Sequence, residues 1–208
     1  QGRKVKAPQF TIAQARANRF KIDWKTYTPP VPRHLGIKVY EDYPLQDLVN
    51  YVDWMPFFNA WEFAGKFPAI LTDPVVGVEA SKLYKDAQAM LTKVLRENWL
   101  HARAVVGMFP ANSVGDDVEI YTDDSRTQVL TTLHFLRQQR EKPEGQAHNC
   151  LADYVAPKDS GRADYIGGFC VGVHGADEFA EEFKKAHDDY NSIMAKALAD
   201  RLAEASAE

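Results

Sequence analysis

Residues 104–122 read AVVGMFPANSVGDDVEIYT, and the change of period inside them decides the fold class. Ala104 to Phe109 is a short apolar run, Pro110 to Asp117 is rich in turn formers, and Val118 to Thr122 alternates apolar and polar side chains at the two-residue repeat of a strand. The stretch is expected to form a hairpin with a generous loop over 110–117. Val129–Leu136, Leu151–Val155 and Tyr165–Val173 are further strand candidates. Four or five strands bracketed by helices, without regular strand–helix–strand alternation, give the α+β class: a twisted, mainly antiparallel sheet with flanking helices.

The helical signals lie on either side of this region. From Gly77 to Glu97, Val78, Leu83, Ala87, Met90, Leu91, Val94 and Leu95 recur at threes and fours, which predicts a long helix. From Asp177 to Glu208, Phe179, Phe183, Tyr190, Ile193, Met194, Ala197, Leu198, Leu202 and Ala205 form a stripe that neither Gly nor Pro interrupts. That pattern predicts one long C-terminal helix. At about 100° per residue, Glu204 falls roughly 20° from Ile193, on the margin of the stripe. Leu45 to Tyr51 has helical spacing, Pro56 interrupts it, and a second helix can restart over Pro56–Phe63. The opening combines an amphipathic piece, Phe10 to Phe20, with Thr28-Pro-Pro-Val-Pro32, so residues 1–36 read as an interdomain linker or arm and 37–208 as one domain.

Composition excludes several function classes. With 45% hydrophobic and 26% charged residues the 208-residue chain is globular, and a net charge of −4 argues against nucleic acid as a partner. The basic residues are scattered apart from Arg3, Lys4 and Lys6. No apolar run of about 18 residues occurs, which argues against a membrane span and for a soluble, cytoplasmic protein. Cys150 and Cys170 match no metal or redox spacing and read as buried free thiols. The six histidines form no metal-binding pattern, the glycines of Gly167–Gly175 lack the order of a phosphate loop, and no nucleophile elbow is present. No catalytic residue and no metal ligand set emerges.

One acid stands out. In NYVDWMPFF, Asn50 to Phe58, Asp53 sits among Tyr51, Val52, Trp54, Met55, Phe57 and Phe58, where a carboxylate is normally badly solvated. It is either a cap for a helix end beside Pro56 or an acid that receives a cationic ligand.

This stretch, together with Trp61, Ala64–Pro68, Val105–Asn112, Gly115–Tyr121, Cys150–Pro157 and His187–Arg201, resembles the activation domain of cobalamin-dependent methionine synthase, in order from about Phe20 to Glu208. The resemblance implies a domain that binds S-adenosylmethionine and presents its methyl group to cobalamin held on a neighbouring domain absent from this chain. Its role there is reactivation: cob(II)alamin is rescued by one-electron reduction, from flavodoxin or a related reductase, coupled to methyl transfer. The chain would then be part of a methyltransferase and not catalytically complete alone. Asp53 stands at the family's ligand-contacting aspartate, able to accept charge-assisted hydrogen bonds from the ligand's ammonium, and Glu204 matches an acid near the methionyl end. The family's Arg-Pro-x-x-Gly-Tyr segment, whose arginine and backbone also contact the ligand, has no counterpart in these residues, so the chain is expected to be a fragment truncated on its C-terminal side. Two other classes stand beside this one: a free-standing S-adenosylmethionine-binding regulatory module, and a structural docking domain without cobalamin chemistry.

Overall fold

In the computed structural model, which describes residues 10–208, strand β2 runs unbroken from His101 to Val114, through the segment expected to be a loop. The turn is only Gly115-Asp116: Val114 pairs with Asp117 at the start of β3 (Asp117–Tyr121), and Ser113, Asn112 and Ala111 follow against Val118, Glu119 and Ile120. Asn112 and Ser113 look like loop formers, but they are buried with their polar groups satisfied. Asn112 Nδ2 donates to the carbonyls of Ala156 and Arg162, both at 2.9 Å, and Ser113 Oγ donates to the carbonyl of Val155 at 2.8 Å. Hydrogen bonds made elsewhere in the fold thus override the local turn preference.

Gly115 sits at φ 66° with open space where a Cβ would be. A left-handed backbone costs a non-glycine residue roughly 1–2 kcal/mol. Gly115→Ala should therefore lower stability in urea denaturation by about 1 kcal/mol, and Gly115→Asn by less; an unchanged midpoint for the alanine variant would show that the turn does not need this backbone.

The strands hydrogen-bond in the order β1 (Gly36–Tyr43), β2, β3, β4 (Val129–His134), with β5 (Asp164–His174) also against β2, and the β2–β3 and β3–β4 pairs are antiparallel. The expected α+β class, antiparallel sheet with flanking helices, is the observed one. Two strand assignments differ. β1 was not foreseen, and Leu151–Tyr154 is a 3₁₀ turn rather than a strand. Asp153 explains the second, because its carboxylate reaches back to the Cys150 amide at 3.0 Å and closes the turn locally.

The chain divides into two units. The first comprises the described residues up to Ile37 together with Gly107–Gly168, and the second Lys38–Val106 with Phe169–Glu208. Arg3, Lys4 and Lys6 and the rest of the first nine residues of the expected arm lie outside the described residues.

In the first unit, which also holds helix α1 (Ile12–Ala17), Ala111, Val118, Cys150, Ala152 and Val155 form the core, with Phe135 and Ile166 packed against it. Its polar centre is Arg137, whose side chain is fully buried. The guanidinium donates to Asp116 at 2.8 Å and to Asp153 at 2.6 Å, and Arg16 adds a second contact to Asp116 at 2.8 Å. Cys150 is buried as expected, but Cys170 is exposed.

The second unit is helical. It holds α2 (Leu45–Leu48), continued by a 3₁₀ turn over Val49–Tyr51, then α3 (Trp54–Asn59), α4 (Gly77–Glu97), α5 (Ala176–Lys185) and α6 (Asp189–Ala205). Phe57, Phe58, Leu83, Leu91, Met194 and Leu202 are among its buried core residues. α4 has the span that the periodicity predicts. The expected single helix over 177–208 is instead two helices packed on each other. His187 takes a left-handed φ of 57°, and Asp188 restarts the chain by accepting the Asn191 amide at 3.1 Å. Gly175, before α5, leaves no alternative residue: a Cβ there would lie 2.4 Å from the Trp99 carbonyl oxygen. Among the described residues no helix is long and apolar enough to cross a membrane, and no cluster of three or more acids, histidines or cysteines is placed to hold a metal.

Candidate functional site

Leu45 and Leu48 anchor α2 in the core, the 3₁₀ turn ends at Tyr51, and Val52 turns extended, which delivers Asp53 to the N-terminus of α3. Trp54, Phe57 and Phe58 then point inward while Asp53 stays exposed. This resolves the oddity of an acid in an aromatic run: the helix start separates the carboxylate from its apolar neighbours. Asp53 Oδ1 accepts the Met55 amide at 3.0 Å, and no other hydrogen bond to this carboxylate is present among the described residues. It is therefore a helix cap with acceptor capacity to spare.

Glu204 is the penultimate residue of α6. The buried side of that helix carries Met194, Ala195, Leu198, Leu202 and Ala205, whereas Ile193 is 53% exposed, so Glu204 shares Ile193's outward face and not the margin of the buried stripe. The error came from counting Ile193 into the stripe. Glu204 is held by Arg201, whose side chain is 11% exposed and also binds Asp200 at 2.6 Å. Burial works against the Arg201 charge, yet Asp200 and Glu204 outweigh it and hold its pKa above the ordinary arginine value.

α6 packs against α3, α2 and the Val49–Tyr51 turn, so the elements that carry the two acids are brought together. Among them opens a groove of about 660 Å³ lined by Tyr40, Tyr43, Asp47, Tyr51, Arg103 and Ser206, with others. Neither predicted acid lines it, but their chain neighbours do: Tyr51 lies two residues before Asp53, and Ala205 directly follows Glu204. Arg103 Nε donates to the Glu41 carbonyl at 3.2 Å. Tyr40, Tyr43 and Arg103 were missed in the sequence, although the alternation in GIKVYEDY (Gly36–Tyr43) signalled the strand that carries the tyrosines.

A groove with three tyrosines, carboxylates at its margins and one arginine suits a ligand that is part aromatic, part cationic and part anionic. A solved structure of the MetH reactivation domain bound to AdoHcy is 56% identical to this chain, superposes with a TM-score of 0.90, and covers 97% of it; the match spans 62% of the solved chain. The family model for the activation domain of vitamin B12 dependent methionine synthase matches residues 44–208. The chain belongs to that family of activation domains.

Proposed function

We propose that this chain binds S-adenosylmethionine and serves as the reactivation domain of a cobalamin-dependent methionine synthase. The observation that carries the reading is the likeness, at 56% identity, to a reactivation domain holding AdoHcy, which is S-adenosylmethionine without its transferable methyl group. The fit is physical as well. The groove's volume of about 660 Å³ is that of a small-molecule site, and its tyrosine faces attract a sulfonium. Asp53, with acceptor capacity left over, receives the ligand's ammonium, and Glu204 adds negative potential at the methionyl end, its own charge partly countered by Arg201.

On this reading residues 1–36 are the arm that leads into the domain and 37–208 the activation domain itself. Cobalamin, held on a neighbouring domain, supplies the methyl acceptor when it is reduced from cob(II)alamin by one electron from flavodoxin or a related reductase. The residues of this chain bind the donor and orient its sulfonium; the transfer between methyltetrahydrofolate and homocysteine belongs elsewhere in the enzyme, in the cytoplasm. Membership of the family favours this over a free-standing ligand sensor or a docking module.

The test is a label transfer. With the cobalamin-binding domain, a one-electron reductant and methyl-labelled S-adenosylmethionine, this chain should move label to cobalamin. Absence of transfer while the ligand still binds would reject the reactivation role.

A further inference from the structure

A second cavity of about 350 Å³ opens in the same unit, lined by Trp61, Phe63, Glu79, Lys82, Asp86 and Tyr190, with Leu83 at its base, and it shares no lining residue with the groove. Its walls are aromatic. The Trp61 and Tyr190 rings stand at 70° with centroids 6.2 Å apart, and Trp61 is backed by Phe57 at 4.8 Å.

The counter-charge comes from α4. Tyr190 donates its hydroxyl to Asp86 Oδ2 at 2.9 Å, which fixes one wall to one carboxylate. Burial, then the hydrogen bond to Asp86 and that residue's charge, push the Tyr190 pKa up to about 12, so the hydroxyl remains a donor at neutral pH. Glu79 and Lys82 form no ion pair among the described residues. Two carboxylates against one ammonium leave the lining with a net charge of −1. Among the described residues, the cations that rest on rings belong to Lys38, Lys93, Arg126 and Lys158, and none covers Trp61 or Tyr190.

Steeply angled aromatic faces with carboxylates beside them recognise a diffuse, weakly hydrated positive charge. A primary ammonium, being strongly hydrated, gains less there. We propose that this cavity binds a quaternary ammonium head group between Trp61 and Tyr190, with Asp86 and Glu79 supplying the negative potential. The site is independent of the S-adenosylmethionine reading, since it uses none of the groove's residues.

Choline and 3,3-dimethylbutan-1-ol have the same shape and differ in charge, so they isolate the electrostatic part. In saturation-transfer NMR on the 208-residue chain, choline should bind at least about fivefold more tightly than the neutral alcohol, the discrimination expected of a cation–ring contact. Trp61→Leu should abolish the preference. Should that variant not fold, two α4 surface changes keep the test: Asp86→Asn should weaken choline binding severalfold, and Lys82→Gln, which removes the competing positive charge, should strengthen it. Equal dissociation constants for the two probes, or choline binding indifferent to both α4 changes, would overturn the proposal.

Discussion

Arg137→Met is expected to destabilise the protein by about 3–5 kcal/mol, the usual loss when one partner of a buried ion pair is removed. The side chain it replaces is fully buried and holds two carboxylates whose own side chains are 11% and 3% exposed, Asp116 and Asp153. Methionine fills most of the volume but leaves both acids desolvated and without a cation between them, Asp116 keeping only its Arg16 contact and Asp153 the Cys150 amide. Arg137→Lys should recover little, because an ammonium cannot span both carboxylates as the planar fork does. With total stabilities of about 5–15 kcal/mol in proteins of this kind, such a loss should be plain in urea midpoints at pH 7; a shift under about 1 kcal/mol would show the network to be dispensable.

The same network sets an acid limit. Desolvation pushes the Asp116 carboxyl upward, but hydrogen bonds from Arg137 and Arg16 outweigh it and hold its pKa below the ordinary 3.8. A carboxyl whose pKa is lowered by folding contributes stability that is fully present above its unfolded value and is lost as pH falls through the folded one. Urea midpoints should thus decline below about pH 4, and less steeply in Arg137→Met.

Asp53→Asn is expected to weaken S-adenosylmethionine binding by roughly ten- to hundredfold, corresponding to the 1.5–3 kcal/mol of a hydrogen bond to a charged group. The substitution separates the residue's two roles. Asparagine caps a helix about as well as aspartate, so the bond to the Met55 amide survives and the melting temperature should barely move. Only the charge is lost. Asp53→Ala should lower both affinity and melting temperature. Equal affinities for the wild type and Asp53→Asn, measured by calorimetry, would remove Asp53 from the ligand site.

How far the sequence was legible depended on whether local preference and the whole fold agreed. In α4 they largely agree: Leu83, Ala87, Met90, Leu91 and Val94 recur at threes and fours and are buried, although Val78 at the helix start is exposed. In β2 they disagree: Pro110, Asn112 and Ser113 carry turn preferences, and Asn112 and Ser113 are kept in the strand by hydrogen bonds to residues more than forty positions away. The break between α5 and α6 was hidden for a different reason, because the apolar pattern continues across it and the signal is a single cap, Asp188, behind a left-handed His187. At the site, spacing alone left Asp53 between cap and ligand acid, and the structure shows the cap with a free acceptor remaining. The groove itself could not be read from the chain, because Tyr40, Asp47, Tyr51 and Ser206 lie on four separate elements or ends.

On the proposed function, the chain holds S-adenosylmethionine through the groove beside Asp53 and Glu204. Isothermal titration calorimetry of S-adenosylmethionine into the 208-residue chain measures this binding. Binding should be saturable and one-to-one, competed away by S-adenosylhomocysteine and weakened at least about tenfold by Asp53→Asn. No saturable heat, or binding that S-adenosylhomocysteine fails to displace, would contradict that reading.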